Sequence, residues 1–140
     1  MLSKLSASDG AEHLGPAIGK TIASAAVNKH KWTNGSYTYE IDRLELRFTD
    51  ATGIALEDDA QSCCETRYMS SDDDLSEYAG AKLLSVELRE APSVSTDEDY
   101  NVHDVQFLAV ITDKGEFTCS SHNEHNGYYS GFSIIVKEIV

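Results

Sequence analysis

Between residues 37 and 49 the chain alternates, with Leu44, Leu46 and Phe48 on one side and Arg43, Glu45 and Arg47 on the other. A period of two with one apolar face predicts a half-buried strand. The same period returns over 83–90, where Leu84, Val86 and Leu88 share a side. Residues 102–112 are the most apolar run and predict a central strand, turned by Asp113-Lys114-Gly115 into another over 116–119. Further strands are predicted over 17–27, entered through Gly19-Lys20-Thr21-Ile22, over 54–58, and over 132–140. Asn34-Gly35, inside a turn-rich connection over 29–36, is a short-hairpin signal. Asp50-Ala51-Thr52-Gly53 joins its two flanking strands as an antiparallel hairpin.

Helical signals are short. Ser62 followed by Glu65 reads as a capping box within 61–69. Ser71-Asp72-Asp73-Asp74 supplies a cap and acid for the positive end of a helix running to about Tyr78, closed by Gly80. Residues 91–101 read as an acidic surface loop. No long helical period is present, which argues against parallel βαβ units. The predicted class is α+β, with a mainly antiparallel sheet of six or seven strands and one or two short helices. Residues 1–16, small and polar, predict a flexible N-terminal arm, and 17–140 a single domain.

A net charge of −13 changes the partners to consider. A surface that coats a phosphate backbone needs clustered Lys and Arg, so direct nucleic-acid binding is not expected. Three clusters, Glu57-Asp58-Asp59, Asp72-Asp73-Asp74 and Asp97-Glu98-Asp99, admit the opposite reading of an acidic inhibitor that mimics nucleic acid and blocks a host defence protein. The adjacent pair Cys63-Cys64 with a lone Cys119 makes a poor disulfide framework, which predicts a reducing, cytoplasmic setting. No signal peptide is visible in residues 1–16, and no run approaches the roughly 18 apolar residues of a membrane span.

Candidate chemistry concentrates in Ser121 to Phe132, read as a loop between two strands. Tyr128, Tyr129 and Phe132 offer faces to stack on, Asn123 and Asn126 amides that read edges, and Gly127 close backbone approach. His122 supports them. Arg67, in a segment without a clean period, is the preferred phosphate partner among few cations. Three other chemistries fit less well. Cys119, His122 and His125, with Cys63 or Cys64, lack the tight knuckle spacing of structural zinc, so no metal or cofactor is expected. His122, Glu124, His125 and Tyr128 supply acid–base types, but no partner elsewhere completes a recognisable arrangement, so no catalytic residue is assigned. Gly19-Lys20-Thr21 is not a phosphate loop, because Gly15 precedes Gly19 by one residue too few.

Gly19-Lys20-Thr21-Ile22, Leu44 to Phe48, Cys63-Cys64-Glu65 and above all His122 to Phe132 (HNEHNGYYSGF) resemble a family of short phage and prophage proteins. That family is similar to the Thoeris anti-defence sponges. The resemblance covers about Gly19 to Val136 and implies a function without catalysis: sequestration of a cyclic ADP-ribose isomer, with cyclic oligonucleotides at a second site in some members. It also implies a homo-oligomer, a dimer or trimer of dimers, acting in the host cytoplasm. Carried onto this chain, the binding residues are Asn123, Asn126, Tyr128, Tyr129 and Phe132.

Overall fold

The computed structural model describes residues 2–4, 14–58, 66–90, 94–96, 101–125, 132 and 134–139. Ten strands lie among them: β1 (Leu2–Lys4), β2 (Ile22–Asn34), β3 (Tyr37–Phe48), β4 (Gly53–Asp58), β5 (Thr66–Ser70), β6 (Leu83–Glu90), β7 (Val94–Thr96), β8 (Asn101–Thr112), β9 (Gly115–His125) and β10 (Ile134–Ile139). They form two antiparallel sheets. One runs β1-β6-β8-β9-β5, with β7 also paired to β8, and the other runs β10-β4-β3-β2. The facing sides share one core, in which Leu44, Leu46, Phe48, Ile54 and Leu56 of the smaller sheet meet Val86, Leu108, Val110, Phe117 and Cys119 of the larger.

The helical elements described are two single 3-10 turns, Gly15–Ala17 and Leu75–Tyr78. The expected α+β class is therefore corrected to all-β. Asp74 does cap the second turn, accepting from the Ser76 N–H. The turn stops after four residues because the chain beyond it is committed to a seam with β2. Gly80 N–H donates to Ile22 O, Ile22 N–H to Ala81 O and Leu83 N–H to Lys20 O. Gly80 makes this exit at φ 89°, a conformation that a Cβ disfavours. The seam stitches the two sheets together at one corner.

Other boundaries moved for local reasons. β2 extends through the expected turn region, and its hairpin loop shrinks to Gly35 and Ser36, with Asn34 opposite Tyr37. In β6 a register shift between Leu83 and Ser85 reverses the phase of one residue. Leu83 and Val86 are buried as a result, and Leu84, expected on the apolar side, is 48% exposed. β9 runs on to His125, so the first five residues of the expected loop are strand. The segment read as an arm contributes β1, which pairs with β6. The capping box at Ser62 and Glu65 lies outside the described residues. No described helix is long and apolar enough to cross a membrane.

The β3–β4 turn holds one strained residue. Ala51 has φ 71°, while its N–H donates to Phe48 O and Phe48 N–H donates to Thr52 O. A left-handed conformation costs a residue with a Cβ about 1–2 kcal/mol, partly offset by the greater chain entropy that glycine loses on folding. Ala51→Gly is expected to stabilise the fold by about 0.5–1 kcal/mol and raise Tm by about 3 °C in thermal unfolding. A lower Tm would mean that the methyl contributes more through packing than it costs in strain.

Candidate functional site

β9 sits between β8 and β5, and its alternation builds two different surfaces. On the inward side, Phe117, Cys119, Ser121, Asn123 and His125 are all buried. Opposite them on β8 stand Val110, Leu108, Gln106, Asp104 and Val102. The layer between the sheets thus grades from apolar to polar toward the β9 C-terminus. β5 adds Arg67 opposite Asn123, and β4 ends there on Asp58. Arg67 Nη1 donates to Asp58 Oδ2 at 2.7 Å, and His125 Nε2 lies 2.7 Å from Asp104 Oδ2. The Phe132 ring centroid is 5.9 Å from Arg67 Cζ, in cation–π range. Asn123 is completely buried. A cavity of only about 10 Å³, lined by Asp42, Asp58, Arg67 and Ser121 among others, leaves room for no more than one water. This polar end is a closed floor.

The outward side carries a second polar cluster. The rings of Tyr68 and His122 stack at 4.5 Å with 9° between their planes. His122 Nε2 lies 3.3 Å from Ser70 Oγ, and His122 Nδ1 lies 2.9 Å from His103 Nε2. Burial, and then the neighbouring His103, push the His122 pKa down, while Glu124 and Asp72 oppose the shift. Burial and Glu124 push the Tyr68 phenol up.

At the opposite end of the molecule a cleft of about 260 Å³ is lined by Lys20, Phe48, Ala51, Thr52, Ile54 and Ile139 among others. Lys20 Nζ is engaged there by Asp50 and Thr52, both at 2.9 Å. The Asp50 carboxyl is pushed down to about 2, chiefly by the Thr52 hydroxyl and then by Lys20.

Of the residues expected to bind ligand, the fold brings together Arg67, Asn123 and Phe132. His122 faces the other way, as alternation on β9 requires. Asn126, Gly127, Tyr128 and Tyr129 lie outside the described residues. The zinc set is split, because Cys119 and His125 point between the sheets and His122 points outward; Cys63 and Cys64 lie outside the described residues. No group of three or more candidate metal ligands occurs among the described residues. Burial pushes the Cys119 thiol up to about 12 despite a hydrogen bond with Ser71. Such a buried, protonated thiol is poorly placed to react with solutes at physiological pH.

Sequence reasoning missed Asp104 and Gln106, although both stand in phase with Leu108 and Val110 in the strand read as most apolar. It also missed Ser70, His103 and Tyr68, which reach His122 only through the pairing of three strands. Iodoacetamide at pH 8 is expected to leave Cys119 unmodified in the native protein and to alkylate it in urea, as read by peptide mass spectrometry. Rapid native alkylation of Cys119 would contradict its burial.

A family model described as a domain of unknown function, DUF7448, matches residues 16–135. No curated protein and no solved structure matches the chain. The family match covers most of both sheets, the polar floor and the outward cluster, and the chain belongs to the DUF7448 family.

Proposed function

We propose that this protein captures a small cyclic nucleotide signal of the cyclic ADP-ribose class and holds it without cleaving it. The observation that carries this reading is the convergence of Arg67, Asn123 and the Phe132 ring where β9 and β10 flank segment 126–131. In sequence that segment, directly after β9, carries Asn126, Gly127, Tyr128 and Tyr129. Because Arg67 is already paired with Asp58, it acts beneath the ligand, holding the rings and amides in place. Stacking and amide contacts suit an acidic protein better than a cationic phosphate clamp does. Each tenfold gain in retention needs about 1.4 kcal/mol, within the reach of one stacked ring. In this reading the protein is a homo-oligomer, a dimer or trimer of dimers. It works in the host cytoplasm as a phage anti-defence sponge that keeps the signal from its effector.

The acidic-mimic reading is less favoured by a specific observation. Glu57 and Asp58, part of one of its three clusters, are buried. Glu57 lies 3.5 Å from Lys137 Nζ, and Asp58 is tied to Arg67. Neither presents a phosphate-like charge to a partner.

Native mass spectrometry after incubation with cyclic ADP-ribose isomers and cyclic di- and trinucleotides is expected to show one of them retained with unchanged mass. Asn126→Ala and Tyr128→Ala should each lose that ligand while keeping the wild-type Tm. If the wild-type protein retains no member of the panel, the reading is overturned. Retention undiminished in both variants would move the site away from this segment.

A further inference from the structure

The outward cluster has an order that a set of surface polar residues need not have. Ser70 ends β5 and is exposed. Its Oγ faces one nitrogen of His122, and the other nitrogen of His122 faces His103 on β8. A hydroxyl, an imidazole within reach of it, and a third group orienting that imidazole make up the arrangement that activates a nucleophile. The three residues come from three adjacent strands, β5, β9 and β8, so the sheet itself sets their spacing. Tyr68 stacks flat on the His122 ring and restricts its rotation. The 3.3 Å Ser70–His122 distance is long for a hydrogen bond but ordinary for a catalytic pair without its substrate.

We propose that Ser70 is a nucleophile for small activated esters, with His122 as its general base and His103 as the positioning residue. This site lies on the opposite side of the sheet from the Arg67–Asn123 floor, so it is separate from the proposed capture of a cyclic nucleotide. The assignment takes His122 as the tautomer whose Nδ1–H donates to His103 Nε2, which leaves His122 Nε2 free to accept from Ser70. Attack forms a bond between Ser70 Oγ and the ester carbonyl carbon as the hydroxyl proton passes to His122 Nε2. Collapse breaks the bond from carbon to the leaving oxygen, which departs as an alcohol carrying that proton. Water, deprotonated in turn by His122, then releases the acyl group as a carboxylic acid and restores Ser70. The transient His122 imidazolium faces the acids Glu124 and Asp72, which favour its charge, and His103, which opposes it, while the Tyr68 ring lies flat against it. The open position of Ser70 on the sheet surface suits small, already activated acyl groups.

The test is labelling of the full-length protein with a fluorophosphonate probe, followed by peptide mass spectrometry and by p-nitrophenyl acetate hydrolysis. One label is expected on Ser70, formed faster in the native protein than in urea. Ser70→Ala should abolish labelling and leave Tm unchanged. His122→Gln should slow labelling about 100-fold, the lower range of general-base assistance. His103→Gln should slow it less and shift the midpoint of its pH–rate profile, which a merely structural role would not do. Equal labelling of native and unfolded protein, labelling at another residue, or a rate unchanged in His122→Gln would overturn the proposal. Retention of cyclic nucleotides by Ser70→Ala is a separate readout, so failure of either site leaves the other to be judged alone.

Discussion

Backbone pairing of β8 with β9, from Val102 opposite His125 to Thr112 opposite Gly115, assigns a side of the sheet to every residue of both strands. A slip of one residue would exchange the two faces completely. Phe117 and Cys119 would leave the core, and His122 would enter it beside Arg67. The apolar half of this ladder anchors the register, since Leu108, Val110, Phe117 and Cys119 are each at most 1% exposed. Once that half is seated, the polar half has no choice of side. Asn123, His125 and Asp104 are carried inward and His122 and His103 outward.

The inward polar end is costly. The Asp58–Arg67 ion pair and the Asp104–His125 contact are removed from water, and for a buried ion pair attraction often does no more than offset desolvation. The apolar core a few residues away shows what the same layer looks like when it serves packing alone. The charged, closed end lies where β9 ends at His125 and β10 begins at Ile134. His103 and His122 of the outward cluster come from the same ladder, and β5 adds Tyr68 and Ser70 through its own pairing with β9.

Much of the fold was legible in the chain. Leu44, Leu46 and Phe48 alternated against Arg43, Glu45 and Arg47 and took the faces their pattern required. Three features were hidden, each for a physical reason. Residues 121–125 carry polar side chains in both phases, so a strand buried on one face left no hydropathy period and was read as loop. A bulge in β6 shifted the phase between Leu83 and Ser85, which a two-residue period cannot anticipate. The cap at Asp74 was real, but the tertiary seam from Gly80 to Leu83 overrode its helical continuation. The site was legible in part: residue type and context single out Arg67, Asn123 and Phe132, but not the carboxylate that pairs with Arg67. Asp58 stands in the sequence only as part of an acidic cluster, because a sequence shows charge without showing which strand end it is buried under.

Under the proposed function, the polar end of the inter-sheet layer serves ligand capture at no gain in stability. The most direct measurement replaces the pair with apolar residues of similar size, Asp58→Leu with Arg67→Met, and follows urea unfolding together with cyclic-nucleotide retention by native mass spectrometry. Stability equal to or above wild type is expected, with ligand retention lost. A double variant less stable by several kcal/mol, or one that retains ligand as the wild type does, would contradict it.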